Sequence, residues 1–158
     1  MLIVNKVLRF RLLIVIQLAN LSGFGPIIAT ASPRNTGLLK SLGATHVVDR
    51  NAPLPDAVKT ITSLPIKYAY DAISLKETQE AAYEVLAPGG VLILVLGFAV
   101  DKSKVDSSKQ VVQVFGATAD PPQRHLAVEL LQILPGLLEN GELKVCNRRY
   151  EQILWVSH

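Results

Sequence analysis

Ile27-Ile28-Ala29-Thr30-Ala31-Ser32-Pro33-Arg34-Asn35 reads as a buried strand that runs into a polar, basic turn and then a helix. The segments on either side repeat that rhythm. Upstream, residues 2–4 are short and β-prone, and residues 12–21 are apolar on most sides, closing at Gly23 as a left-handed C-cap. Downstream, residues 35–42 predict a helix ended by Gly43, with Leu38, Leu39 and Leu42 on one face. Residues 45–48 predict a third strand that stops at Asp49, and Ala57, Val58 and Ile61 have helical spacing within residues 56–64.

The second half continues the alternation. A fourth strand is expected over residues 68–73. Ser74 and Glu77 then match a capping box for a helix reaching Leu86. Pro88-Gly89-Gly90 reads as a tight turn before a fifth, wholly apolar strand over 91–96, ending at Gly97. A sixth strand is expected over 111–115, then a long helix over 123–139, bent at Pro135 and stopped by Asn140-Gly141. Continuous apolar runs separated by helices imply a parallel sheet covered on both faces: an α/β, doubly wound fold. The expected organisation is one dinucleotide-binding domain over residues 1–145 and a tail over 146–158.

Charge is unevenly spread. The net charge is +3, yet residues 1–48 hold five cations (Lys6, Arg9, Arg11, Arg34, Lys40) and no acid. A basic lobe of that kind suits an anionic small molecule; the dense Lys/Arg clusters and interleaved aromatics of a nucleic-acid surface are missing, so no nucleic-acid partner is expected. Cys146 is the single cysteine, which fits a reducing compartment, and the cytoplasm is the expected location. Lys6, Arg9, Arg11, Gln17 and Asn20 interrupt any membrane span near the start, so no membrane partner is expected either. The acid-free, Arg-bearing start also faintly resembles a mitochondrial presequence.

The turn after the second strand carries the chemical information. In a dinucleotide-binding sheet, an acid there grips the ribose 2′-hydroxyl of NAD, whereas an Arg accommodates the 2′-phosphate of NADP. Here there is no acid, and Arg34 stands where the phosphate would arrive. A solvent-facing arginine in an ordinary strand–helix turn is the competing reading.

Five segments in order resemble the medium-chain dehydrogenase/reductases. They are Gln17-Leu18-Ala19-Asn20-Leu21-Ser22-Gly23, residues 27–35, Leu39-Lys40-Ser41-Leu42-Gly43-Ala44-Thr45-His46-Val47-Val48-Asp49, Tyr70-Asp71-Ala72-Ile73-Ser74 and Leu86-Ala87-Pro88-Gly89-Gly90. The chain is similar in particular to the zinc-independent fungal enoyl reductase and quinone oxidoreductase-like branch. That resemblance implies the NADP(H)-binding Rossmann domain of a two-domain oxidoreductase, truncated relative to the full family, whose other domain is a catalytic barrel. It implies that Ser32, Arg34 and Asn35 hold the 2′-phosphate and that Asp49 lies beside the adenine. Ile73 and Ser74 would lie under the cofactor, and Leu96 and Gly97 where the nicotinamide passes. Each has a structural alternative: Ser74 as a helix cap, Asp49 as a loop start, Gly97 as a turn.

One departure stands out. Family members follow the first strand with a glycine-rich turn of the type G-G-S-S-S-V-G, and an ungapped fit lays it on Lys6-Val7-Leu8-Arg9-Phe10-Arg11-Leu12. Glycine there permits positive φ and lets backbone N–H groups approach the pyrophosphate. Forcing other residues into such a turn costs on the order of 1–3 kcal/mol each. A rebuilt or disordered first turn and weakened NADP(H) binding are therefore expected, with residues 1–11 atypical of the family or unrelated to it.

Other chemistries find no support. His46, His125 and His158 are far apart in sequence, and no H-x-x-x-H or C-x-x-C pair exists, so no metal ligand is assigned. There is no G-x-S-x-G elbow, no P-loop, and no lysine four residues after Tyr68, Tyr70 or Tyr83. No catalytic residue is assigned within the chain. Two functions stay open: the cofactor domain of an oxidoreductase, not active by itself, or a non-catalytic remnant that binds a dinucleotide or adenosine phosphate and pairs with a full-length homologue. A homo- or heterodimer through the sixth strand is compatible with either.

Overall fold

The computed structural model describes residues 2–5, 10–114 and 121–145. The chain divides into two compact units, Met1–Gly116 and Ala117–His158. In the first, the elements run β1 (Leu2–Asn5), α1 (Phe10–Leu21), β2 (Ile27–Ala31), a 3-10 turn (Pro33–Asn35), α2 (Thr36–Ser41), β3 (His46–Asp49), α3 (Leu54–Ile61), β4 (Ile66–Asp71), α4 (Lys76–Glu84), β5 (Leu86–Leu94), a second 3-10 turn (Lys102–Lys104) and β6 (Gln110–Gln113). All six strands form one parallel sheet in the order β3-β2-β1-β4-β5-β6. The strand order reverses between β1 and β4, so the expected doubly wound architecture is observed.

β2 is the strand that its sequence announces. Every one of its residues is buried, as a strand covered on both faces requires. Thr45 pins its start: the hydroxyl donates to the Ile27 carbonyl at 2.8 Å and accepts the Ile27 N–H at 3.0 Å. Ile28, Val48, Ala69, Leu92 and Leu94 join Val58 of α3 and Ala82 and Tyr83 of α4 in one apolar core. Each large aliphatic side chain fully removed from water there contributes roughly 1.5–3 kcal/mol. Leu13, Ile16 and Ala19 of α1 are buried, and the buried Gln17 amide donates to the Leu13 carbonyl at 3.1 Å. Gly23 and Gly43 take left-handed φ of 76° and 110°, as expected for the ends of α1 and α2.

Several boundaries differ from the sequence expectations. Pro88-Gly89-Gly90 is no turn between elements: β5 runs through it, pairing Leu86 with Ile66 and then Val91 with Tyr68 across a register shift. Gly89, at φ 73°, absorbs that irregularity as a bulge residue. A Cβ on Gly90 would come within 2.8 Å of the Ala87 carbonyl oxygen, so only glycine fits. β4 spans 66–71 instead of 68–73, and β5 ends at Leu94, two residues early. The capping box is also absent: α4 starts after Leu75, Ser74 lies outside the helix at φ 56°, and its hydroxyl donates to the Asp71 carbonyl at 2.9 Å. On α2, Leu39 and Leu42 are buried but Leu38 is exposed.

In the second unit, α5 (Pro121–Glu139) carries Pro135 in its interior, and Gly141 at φ 70° follows its end. Lys6–Arg9 of the expected glycine turn, Phe115 of the expected sixth strand and the tail over 146–158, with Cys146, Trp155 and His158, lie outside the described residues. Among the described residues no helix is long and apolar enough to cross a membrane.

Candidate functional site

Among the described residues, the carboxyl ends of the parallel strands, where open α/β sheets bind ligands, form two corners. The first follows β2 and β3. Ser32 is extended and its carbonyl accepts the Asn35 N–H at 2.9 Å, closing the 3-10 turn on which Arg34 is exposed and Asn35 is buried. Pro33 at the first position of that turn fixes φ where no N–H is needed. Ala31 lies opposite Asp49 in register, and the Arg50 N–H donates to the Ala31 carbonyl at 3.0 Å, so both strand ends are held together. Asp49 Oδ1 accepts the Asn51 N–H at 2.9 Å. This side chain therefore starts the loop, as its structural alternative anticipated, and it also lines a crevice.

That crevice, of about 200 Å³, is walled by Thr30, Asp49 and Arg50 on one side and by Leu54, Glu77 and Thr78 on others. Ser32, Arg34 and Asn35 are outside its lining among the described residues. Arg50 is a second cation at these strand ends that the sequence reading passed over. Its signal was available: it follows directly after the residue that ends β3.

The second corner follows β4 and β5. Asp71 is fully buried; its Oδ1 accepts the N–H groups of Ile73 and Ser74 at 3.0 and 3.1 Å, and Thr78 donates to its Oδ2 at 2.5 Å. This carboxylate bends the chain out of the sheet, which is why β4 ends two residues early. The Ser74 hydroxyl oxygen in turn accepts the Val95 N–H at 3.3 Å. Gln79 reaches both loops, donating to the Ser74 and Gly97 carbonyls at 2.9 and 2.8 Å and accepting the Ala99 N–H at 2.8 Å. Ile73, Ser74 and Gly97 are thus brought together, whereas Leu96 projects into solvent. Thr78 belongs to both corners, lining the crevice and bonding Asp71. Asp71 and Gln79 were missed because most of their partners are backbone groups of the loops, and Thr78 because its partner is the Asp71 carboxylate seven residues away.

A larger depression of about 640 Å³ beside α4 is lined by Glu80, Tyr83, Glu84, Lys104 and Lys109, among others. Two of its charges, Glu80 and Lys104, pair with each other, and Lys109 Nζ donates to the Tyr83 carbonyl at 2.9 Å. Lys104 Nζ donates to Glu80 Oε2 at 2.6 Å, and that bond holds the Glu80 carboxyl below its ordinary range while pushing the Lys104 ammonium up. No group of three or more His, Cys, Asp or Glu side chains placed to hold a metal occurs among the described residues.

The architecture is that of known proteins. The chain can be superposed on an alcohol dehydrogenase superfamily protein from Novosphingobium aromaticivorans with a TM-score of 0.71 at 20% identity, covering 90% of this chain and 44% of that one. Quinone oxidoreductase of Escherichia coli, solved complexed with NADPH, gives 0.74 at 20% identity, covering 94% and 48%. In sequence, the trans-enoyl reductase BOA5 of Botryotinia fuckeliana is 32% identical over 146 residues, 82% of this chain and 39% of its own length. Trans-enoyl reductase fsa3 of a Fusarium species is 42% identical over 78 residues, 48% and 21%. The chain therefore spans two fifths or less of these curated relatives. The family model described as zinc-binding dehydrogenase matches residues 13–119. By that match the chain belongs to the zinc-binding dehydrogenase family, and it carries the Rossmann domain of the medium-chain dehydrogenase/reductases.

Proposed function

We propose that this chain binds NADP(H) as the cofactor domain of an oxidoreductase that reduces an activated double bond or carbonyl. The observation that carries this reading is the 3-10 turn after β2, which presents Arg34 to solvent and contains no acid. The donor set fits the adenosine end of the coenzyme: Arg34 and Arg50 supply positive charge at adjacent strand ends, and the crevice beside Asp49 has apolar walls at Leu54 and Ala52. Ser32, Arg34 and Asn35 hold the 2′-phosphate, and Asp49 lies beside the adenine. Ile73 and Ser74 run under the coenzyme, and Leu96 and Gly97 flank the nicotinamide. When bound, NADPH supplies the hydride; the residues of this chain bind it and orient it, and none is assigned a catalytic role.

The NADPH complex of the E. coli quinone oxidoreductase supports the coenzyme, and the trans-enoyl reductases support an enoyl substrate for the whole protein. The glycine-free stretch 6–12 favours weak binding, because it removes the amide cradle for the pyrophosphate. The same stretch favours, as second reading, a nucleotide-binding remnant that pairs with a full-length homologue. β6 offers an edge for pairing with a second chain: in the described sheet it bonds to β5 alone, and Val112 is exposed on it.

Calorimetry with 2′,5′-ADP, 5′-AMP and NADPH tests the proposal. The wild-type chain should prefer 2′,5′-ADP to 5′-AMP about tenfold, as loss of one charge-assisted phosphate contact implies. Arg34→Ala should abolish that preference. No preference in the wild type would sink the coenzyme assignment. NADPH binding much tighter than 2′,5′-ADP favours the oxidoreductase domain, and equal weak affinities favour the remnant.

A further inference from the structure

Gln79, the fourth residue of α4, is completely buried, yet its amide bonds only to groups outside the helix. Nε2 donates both hydrogens, to the Ser74 carbonyl at 2.9 Å and to the Gly97 carbonyl at 2.8 Å. Oε1 accepts the Ala99 N–H at 2.8 Å. A buried amide with every hydrogen placed is a rigid connector, since rotating it leaves two donors and an acceptor unpaired. The Val95 N–H bond to the Ser74 hydroxyl adds a parallel tie between the same two loops.

These loops leave the sheet from neighbouring strands, β4 and β5, next to the point where the strand order reverses. Ser74 is held at φ 56°, a conformation that a non-glycine residue keeps only when its surroundings enforce it. Gly97 has open space where a Cβ would stand. Leu75, Leu96 and Phe98 on the two loops are 55%, 56% and 44% exposed, an apolar rim above a polar, fully bonded base.

The geometry points to Gln79 as a positioning residue: it locks the β4 and β5 end loops together before any ligand arrives, so that they form a preformed seat for the nicotinamide half of the coenzyme. The inference rests on the NADP(H) reading. Gln79 itself contacts no coenzyme; it acts through Ser74, Gly97 and Ala99.

The test uses Gln79→Met, close in volume but without the amide, and Gln79→Glu, which keeps the acceptor for Ala99 and loses both donors. In each, calorimetry compares NADPH with 2′,5′-ADP, and amide hydrogen exchange is read at Val95 and Ala99 against core amides such as Ala29 and Leu92. Expected is a tenfold or greater loss of NADPH affinity with 2′,5′-ADP affinity held within twofold. Exchange at Ala99 should accelerate at least tenfold in Gln79→Met, with the core amides unchanged; in Gln79→Glu it should change less. Parallel loss of both ligands, unchanged NADPH affinity, or failure of both variants to fold overturns the seat, because a merely structural glutamine predicts one of those results. A wild-type chain that binds neither nucleotide overturns the coenzyme reading itself. A wild type that binds NADPH, with a Gln79→Met variant that binds it equally, overturns the positioning role alone.

Discussion

The Thr78 hydroxyl donates to Asp71 Oδ2 at 2.5 Å and also faces the Leu75 carbonyl at 2.9 Å, so one hydrogen in the first turn of α4 serves a carboxylate that ends β4. A fully buried carboxylate that accepts two backbone N–H groups and a hydroxyl is a structural anchor whose removal leaves the two backbone donors short of a partner, while the Thr78 hydroxyl keeps the Leu75 carbonyl. Asp71→Ala should cost about 2–3 kcal/mol in urea unfolding, in line with loss of hydrogen bonds to a charged group. Asp71→Asn should cost clearly less, because the asparagine oxygen still serves Ile73 and Ser74 while Thr78 turns its hydrogen to Leu75 and accepts from the new amide. Equal costs for the two variants would show that the hydrogen-bond geometry is not what matters there.

Gly23 and Gly43 separate two reasons for glycine. Both have left-handed φ, so alanine at either should cost about 1 kcal/mol for the backbone alone. A Cβ on Gly23 meets nothing within 4 Å, but on Gly43 it would stand 2.6 Å from the Asn20 Cβ. Gly43→Ala should therefore exceed Gly23→Ala by about 1–3 kcal/mol, the usual cost of overpacking, and the double variant Gly43→Ala with Asn20→Gly should recover most of that excess. Matched denaturation curves for the four proteins decide it.

The contrast between those glycines and the Asp71–Gln79 network shows how far the sequence could be read. β2, the closing glycines of α1 and α2, and the alternation of strands and helices could be inferred because they depend on local apolar runs and on backbone conformations that few residues adopt. Pro88-Gly89-Gly90 was misread for the complementary reason: a bulge needs the same residue types as a turn, and only the pairing of Leu86 with Ile66 tells them apart. Ser74 and Glu77 satisfied a capping pattern whose hydroxyl is used elsewhere, on the Asp71 carbonyl. At the candidate site, Asp49 could be read because it ends an apolar strand. Gln79 could not, since its partners Gly97 and Ala99 lie 18 and 20 residues away and offer only backbone atoms, which no sequence pattern marks.

The Glu80–Lys104 pair makes a prediction about pH. Glu80 is shifted below the ordinary glutamate value of 4.5, first by the hydrogen bond from Lys104, so whatever the pair contributes is present above that value and lost as pH falls through the lowered one. Lys104 is shifted above 10.5 by the same bond, so its contribution is present below that value and lost as pH rises through the raised one. Both side chains reach water, so the effect on unfolding should be slight. Carboxyl-detected NMR titration should place Glu80 below free glutamate, and Lys104→Met should return most of the shift, leaving the smaller influences of the Asp101 backbone N–H and of Lys76 at 3.9 Å. An unmoved titration in the variant would contradict the bond.

Arg50 offers the sharpest test of which cation meets the phosphate. Its N–H is fixed to Ala31, so the backbone at this position is held whatever the side chain does, and substitution should leave stability nearly unchanged. Its side chain lines the crevice with Thr30 and Asp49, whereas Arg34 is outside that lining. If the adenosine end enters the crevice, Arg50→Ala should weaken 2′,5′-ADP about tenfold, the loss of one charge-assisted contact, and the residual binding should depend less on salt because one screened attraction has gone. Arg50→Lys should recover part of the affinity, since the charge returns without the planar fork that matches phosphate. Calorimetry at two salt concentrations reads both effects. An Arg50→Ala chain that binds 2′,5′-ADP as the wild type does would move the phosphate wholly to the Arg34 turn and leave the crevice without a role in its recognition.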